Sequence, residues 1–465
     1  MTATVDTIRA AIARNKNLAY IVGLTETISP LGKQCLLDSP WLTERGDMAH
    51  EYSDTDEMLR HISLHDTKID KICLQLMCLR DVASTLSALA AGQVLGDIEL
   101  YEVKALALTV MEVRRICLEI GLAAVELPSV ANVVDALDPE GTRVAHFYVY
   151  DAYSPALKDL RAKLKQARKE EADNVAELFA ACSDEETRIR IRLSAELQPY
   201  APALTAGLKD LGRLDMLIAR ARLVKKLSLT RPQIAEAGIS YTALRNPQIA
   251  EALKQSKREF QPVDISAAEG VTVITGANMA GKSVVLKTVG LAQLMAQFGY
   301  FVPADKACIT PVQEVLSSIG DAQDELEGLS SYAAEMLRIN EIIKKKRNGM
   351  RLLALIDEPA RTTNPEEGKA LVNAVIELLS GPGSYTLLTT HYSGLTAPCR
   401  RLRVRGFREE KADGRRLTAA TVNDFIDYTL EPSNETEVPR EALRIAMILG
   451  VDDMVTDTAA RYLDR

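Results

Sequence analysis

The sequence predicts a mainly α first half joined to an α/β second half. Two observations predict this division. Apolar residues recur at helical spacing through much of residues 60 to 230. From Val271 onward, short apolar runs end in glycine or in ionisable residues and are followed by helical stretches, the pattern of a parallel sheet with crossover helices. At 465 residues the chain has room for about two to four domains. We read a helical core over 1–150, a pair of long helices over 151–230, an α/β domain over 231–425 and a closing segment over 426–465.

In the first half, Leu74, Leu76, Met77, Leu79, Val82 and Leu86 follow one broad helical stripe; Leu106, Leu108, Val110, Met111 and Val113 follow another. The aromatic and β-branched stretch around Val144 to Asp151 reads as a short strand. Tyr153, Ser154 and Pro155 then open a charged helix to about Cys182, whose mixed signs suit a solvated face. Ser183 to Thr187 reads as a break. RIRIRL, Arg188 to Leu193, alternates like a strand, with a short helix as the other reading. Pro199 and Pro202 interrupt, and a second long helix follows from about Ala203 to Leu227. Thr230 to Pro232 reads as a linker, so the α/β domain begins near Gln233.

The chemistry concentrates in VTVITGANMAGKSVVLK, Val271 to Lys287. A strand-like run ends at Gly276, and Gly276, Gly281, Lys282 and Ser283 complete G-x-x-x-x-G-K-S, the phosphate-cradling loop of P-loop NTPases. Glycine lets backbone N–H groups turn inward around phosphate oxygens. The N-terminus of the following helix adds partial positive charge. Lys282 would reach the β and γ phosphates, and Ser283 would give an oxygen to Mg²⁺. ATP and Mg²⁺ are therefore the expected ligands. The apolar run Leu352 to Ile356 ends in Asp357 and Glu358; Asp357 should hold the metal, and Glu358 should orient or deprotonate the attacking water. A third run, Thr386 to Thr390, places His391 at a strand tip, where it can sense the γ-phosphate; taken alone it reads as a surface histidine. Between these lies GDAQDELEGLSSYAAEM, Gly320 to Met336. Its Ser330 and Ser331 stand at a helix start, as an ABC-type signature or as a plain N-cap.

Composition bounds the rest. The net charge of −8 offers no support for nucleic-acid binding, although it does not exclude a local basic patch. Seven scattered cysteines with no C-x-x-C pair read as reduced thiols. His61 and His65 sit one helical turn apart without a second ligand pair, which favours a helix face over a zinc site. No run is long enough to span a bilayer, and the N-terminus lacks the apolar core of a secretory signal, so a cytoplasmic protein is expected.

Together these segments resemble the MutS superfamily. TGANMAGKS is similar to that family's TGPNMGGKS loop, LIDEPARTTNPEEG to its LLDE-x-x-R-x-T segment, and TLLTTHYSGL to its ATHY-x-x-L. The likeness continues through Met295 to Ile309 and DELEGLSSYAAEM. LGRLDMLIARARLV, Leu211 to Val224, is like the end of the family's lever helix, and Pro439 to Leu463 is like its closing helix-turn-helix. The resemblance implies a MutS-type helical core and lever helices, an ABC-type ATPase domain and a C-terminal dimerisation segment. It implies nucleotide contacts from Asn278, Met279, Gly281, Lys282, Ser283 and Val284, an acidic pair Asp357 and Glu358, a switch role for His391, and a contact from Ser330 to the nucleotide of the other subunit. Such an ATPase works as a homodimer or as a heterodimer with another MutS-like chain.

The departures bear on rate. Ala277 replaces the loop proline, Ala280 a glycine and Val284 a threonine; Leu329 stands at a basic position, and Pro359 follows the catalytic carboxylate. These put hydrolysis in question more than binding. The absences bear on target. The family's mismatch reader uses F-x-E in an N-terminal domain, whereas the F-x-E here is Phe407 to Glu409, beyond the nucleotide motifs. From the resemblance we expect neither that domain nor its connector, no full DNA clamp in the short interval between the long helices, and no nuclease tail. DEPARTTNPEEG and the short architecture resemble MutS-related proteins linked to cobalamin-dependent lysine 5,6-aminomutase, thought to be reactivases. The expected function is an ATPase that remodels a protein client, with a reduced DNA-binding protein of repair or recombination as the alternative. A regulatory subunit that binds ATP but barely hydrolyses it is a third reading.

Overall fold

The computed structural model describes residues 7–276, 281–320, 331–408, 425–433, 446–447 and 450–463, together with residue 443. The first half holds α1 (Ile8–Arg14), α2 (Lys16–Leu24), α3 (Pro30–Leu37), α4 (Arg45–Leu64), α5 (Asp66–Met77), α6 (Ala83–Ala90), α7 (Asp97–Ile120) and α8 (Ala131–Leu137). Then come α9 (Pro155–Lys169), α10 (Val175–Leu197) and α11 (Ala201–Leu227). The second half runs β1 (Gln233–Ile234), β2 (Ile239–Leu244), α12 (Pro247–Gln255), β3 (Val263–Ala267), β4 (Gly270–Thr275), α13 (Lys282–Gln297), β5 (Lys306–Ile309) and β6 (Glu314–Ser318). It continues with α14 (Ser331–Arg347), β7 (Leu352–Ile356), α15 (Pro365–Leu379), β8 (Ser384–Thr389), β9 (Arg400–Phe407), β10 (Ile426–Pro432) and α16 (Asp453–Leu463).

Several local expectations are corrected. The stripe from Leu74 to Leu86 is not one helix: α5 ends at Met77 and α6 restarts at Ala83, leaving Leu74 and Met77 exposed while Leu76, Leu79, Val82 and Leu86 are buried. Residues 144–150 form no strand. They wrap a fully buried Lys104, whose ammonium donates to Asp138 Oδ1 (3.0 Å), the His146 carbonyl (2.9 Å) and the Tyr150 hydroxyl (3.2 Å). A buried charge demands such partners, and meeting them takes the backbone out of any ladder. The break expected at Ser183 to Thr187 lies earlier, at 170–174, and RIRIRL is part of α10. Ile189 and Leu193, one turn apart, are buried. The intervening arginines are paired: Arg188 with Glu185, Arg190 with Asp97 and Glu186, and Arg192 with the Tyr153 carbonyl. Ile189 and Leu193 satisfy both period two and a helical turn, but Ile191, which only period two would bury, is exposed, so the helix prevails.

Helix α11 is the axis of the helical half and packs against α3, α4, α6 and α7. It buries two charges. Asp215 accepts from the backbone N–H of Ile28 (2.8 Å) and from the N–H and hydroxyl of Ser29 (both 2.6 Å), which fixes the start of α3. Arg220 donates to Glu51 Oε2 (2.9 Å) and the Phe298 carbonyl (2.9 Å), with its guanidinium over the Tyr300 ring.

Two sheets follow. The smaller has order β1-β5-β2-β3. The larger has order β10-β9-β4-β8-β7-β6, parallel except for β10, which runs antiparallel to β9. Because β10 joins the sheet, a closing segment that begins at residue 426 starts inside the sheet. Strand alternation divides the covering layers. Val271, Val273, Ala354 and Ile356 pack with Ile339 and Ile342 of α14 and with Val372 and Ile376 of α15. Ile274, Leu353 and Leu355 belong instead to a core continuous through α13 into the helical half, as far as Ile8. No described helix is long and apolar enough to cross a membrane.

Candidate functional site

The candidate site lies where β4, β7 and β8 end side by side. Parallel pairing in register brings Ile274 opposite Thr389, and Ile356 opposite Leu388. Residues that follow these strands therefore converge, as expected at the carboxyl ends of a parallel sheet. Gly276 (φ +149°) and Gly281 (φ +73°) adopt backbone conformations that favour glycine. Gly281 immediately precedes α13, so Lys282, Ser283 and Val284 form that helix's first turn. Asn278 and Met279, like Ser330, lie outside the described residues.

Lys282 is 5% exposed and donates to the Gly276 carbonyl at 2.7 Å. Its ammonium stands 3.2 Å from Glu358 Oε1, and Arg361 approaches the other oxygen at 3.1 Å. Burial acts to raise the Glu358 carboxyl, but Lys282, Arg361 and His391 outweigh it and hold the pKa below the ordinary value. Glu358 is thus an ionised carboxylate in a largely enclosed place. Next to it, Asp357 Oδ1 accepts from the Thr389 hydroxyl at 2.6 Å. Among the described residues its Oδ2 takes no hydrogen bond. The hydroxyl of half-buried Ser283 and this carboxylate are the hard oxygen donors that Mg²⁺ prefers, so the residues present fit the ion.

His391 follows β8 and is half-buried. Burial pushes its pKa down; Glu358 opposes this, while Lys282 and Arg361 add to it, so the imidazole is neutral near pH 7. The structure thus brings Gly276, Gly281, Lys282, Ser283, Val284, Asp357, Glu358 and His391 to one end of one sheet.

Three contributors escaped sequence reasoning. Thr389 binds both carboxylate residues, donating to Asp357 and accepting the Glu358 N–H at its hydroxyl (3.0 Å) and at its carbonyl (3.1 Å). Arg361 pairs with Glu358 from outside the pocket. Tyr428, on β10, lies over the start of α13: a Cβ on Gly281 would come within 2.8 Å of its ring. The threonine stood inside the run that was read, but a hydroxyl in a strand has no distinctive pattern. Tyr428 arrives from more than a hundred residues away, and no local signal marks it.

Residues 272–463 match the family description MutS domain V. The chain is 32% identical over 290 residues to the endonuclease MutS2 of Enterococcus faecalis (strain ATCC 700802 / V583), covering 60% of this chain and 34% of that protein. It is 31% identical over 316 residues to the endonuclease MutS2 of Pediococcus pentosaceus, covering 66% and 36% respectively. It is 33% identical over 302 residues to the endonuclease MutS2 of Pelotomaculum thermopropionicum, covering 63% and 36%. The chain therefore spans about a third of the length of these curated relatives. The domain match and these likenesses support membership of the MutS superfamily.

Proposed function

We propose that this chain is a MutS-type ATPase whose nucleotide site is Gly276, Asn278, Met279, Gly281, Lys282, Ser283 and Val284, with Asp357, Glu358 and His391 at the reacting end. The observation that carries the reading is the buried Lys282 held between the Gly276 carbonyl and the ionised Glu358, beside Asp357. A buried ammonium at a helix start, facing a carboxylate, suits a γ-phosphate and the water that attacks it. Lys282 exchanges its contact with Glu358 for phosphate oxygens. Glu358, freed of that partner, takes the proton of the attacking water. Thr389 keeps Asp357 and Glu358 in register, and neutral His391 offers a hydrogen bond near the phosphate. Ser283 and Asp357 would hold Mg²⁺, which would supply charge neutralisation at the phosphate oxygens. A phosphate-release assay tests the reading: the wild type should turn over ATP, and Lys282→Ala and Glu358→Gln should not. Equal turnover in all three would end it.

The active form in this reading is a dimer in which Ser330 of one subunit completes the other's site. Exposed Met447, Val451, Met454, Val455 and Tyr462 along the C-terminal segment support pairing there with a second MutS-type chain, identical or not. The domains would be a helical core over 1–150, lever helices over 151–230, the ATPase from 231 through β10, and a C-terminal dimerisation segment. The work done is remodelling of a protein client, with an aminomutase reactivase as the finer form. The pairing of Arg190 of RIRIRL with both Asp97 and Glu186, inside the helical half, supports a client other than DNA. The second reading, a DNA-binding repair or recombination protein, rests on the MutS2 likeness. A gel-shift series near physiological salt separates them, since tight, structure-selective binding of branched DNA would displace the first.

A further inference from the structure

We propose that Glu335 is a positioning residue that holds Glu358 in its reactive place, working through the turn between them; this rests on the ATPase reading above. The turn Glu358–Pro359–Ala360 has two non-glycine residues at positive φ, Glu358 at +45° and Ala360 at +60°. Such backbone is unfavourable for a residue with a Cβ and persists only where surroundings enforce it. Three groups enforce it here. Thr389 accepts the Glu358 N–H. The Glu335 carboxylate, from α14, accepts the Ala360 N–H at 3.0 Å. The Tyr392 hydroxyl donates to the Ala360 carbonyl at 2.7 Å.

Pro359 has no N–H, so the Ala360 amide is the first backbone donor after Glu358. Its acceptor is a partly buried side chain rather than a strand neighbour. Glu335 thus fixes the turn from one side and Tyr392 from the other, and Glu358 is carried between them and the Lys282 ammonium. Gly368, in the first turns of α15, supplies the space: a Cβ there would overlap the Tyr392 hydroxyl and come within 3.2 Å of the Ala360 carbonyl. The arrangement also ties Glu358 to α14, the helix that follows the 321–330 segment.

The test is a kcat-against-KM comparison by phosphate release, with nucleotide affinity measured separately by equilibrium binding of ATP. Glu335→Ala should lower kcat about tenfold to a hundredfold and leave ATP affinity within about twofold. Glu335→Gln, which keeps an oxygen to accept the Ala360 N–H, should restore most of the rate. Gly368→Ala should depress kcat in the same way, although alanine is the better helix former. Unchanged kcat in Glu335→Ala, or a fall in affinity that matches the fall in kcat, would overturn the role. A wild type no faster than Lys282→Ala would overturn the ATPase reading and this inference with it. An active wild type with an indifferent Glu335→Ala removes this inference alone.

Discussion

The two ends of α13 are held in different ways. At its start, Lys282 contacts a carbonyl and a carboxylate of the candidate site. At its end, three successive carbonyls, of Ala296, Gln297 and Phe298, accept from the Tyr52 hydroxyl (2.8 Å), the Leu42 N–H (2.9 Å) and the Arg220 guanidinium (2.9 Å) of the helical half. Gln297 also donates back to the Leu42 carbonyl at 2.7 Å. Helix ends normally leave such carbonyls without partners. The start is therefore built from ionic contacts that a phosphate can rearrange, and the end from buried bonds that water cannot easily replace. A shift at the first end is expected to reach α4 and α11 through the second.

The comparison can be broken most forcefully at the start. Lys282→Ala should cut ATP turnover by at least about 10²-fold, as loss of a charge-stabilising donor does; phosphate release reads it, and near-normal turnover would take the start of α13 out of the chemistry. Arg220→Ala attacks the other end. It leaves Glu51 with Arg213 as its one remaining cation, and should lower unfolding free energy by about 2–3 kcal/mol in urea titration, as loss of a hydrogen bond to a charged group does. A loss below about 1 kcal/mol would mean that the end is not fixed as described.

A smaller effect is expected from Tyr52→Phe, which removes one neutral hydrogen bond to Ala296 and should cost about 1 kcal/mol. ATP affinity should hold in that variant, whereas nucleotide-dependent hydrogen exchange in α4 and α11 should weaken. Persistence of the full exchange change would place the transmission elsewhere. The smallest effect is in pH. Burial acts to raise the Glu51 carboxyl, but Arg220 and Arg213 outweigh it and hold the pKa below its ordinary value. The folded state then binds fewer protons than the unfolded one. Glu51 contributes stability that is complete above the unfolded value of about 4.3 and is lost as pH falls through the lower folded value. Glu51→Gln should flatten the acid limb of a stability-against-pH curve. An unaltered limb would show that the Arg213–Glu51–Arg220 group adds no pH dependence.

The site was more legible in the sequence than the scaffold around it. A phosphate loop is short, contiguous and chemically constrained, so Gly276, Gly281, Lys282 and Ser283 mark themselves. Asp357 and Glu358 are visible for the same reason, at the end of a fully apolar strand. Groups that act across the fold are not. Glu335, Tyr392 and Arg220 each look like ordinary helix or loop residues, and only tertiary contact gives them partners. The stretch at 144–150 has a strand-like composition, but its backbone and Tyr150 turn to one buried lysine: the His146 carbonyl and the Tyr150 hydroxyl accept from Lys104, whose ammonium lies over the Tyr150 ring. The first forty-five residues gave no clear pattern, since α1 to α3 are short and broken by turns. The four-stranded sheet was missed because β1 and β5 are brief and β2 bulges against β3.

The apolar core that runs without interruption from the helical half into the sheet has a consequence for modularity. A polar seam would let a nucleotide-binding unit be exchanged between proteins as a cassette. Here the cut at residues 228–232 would leave Phe298, Tyr300 and Phe301 on one piece and Tyr52 and Leu217 on the other, each stripped of its cover. A chimera that grafts this ATPase onto a foreign helical body would have to bring α2, α4 and α11 with it. Inheritance of the two halves is thus expected to be joint, and diversification to occur at the outer helices rather than at the joint.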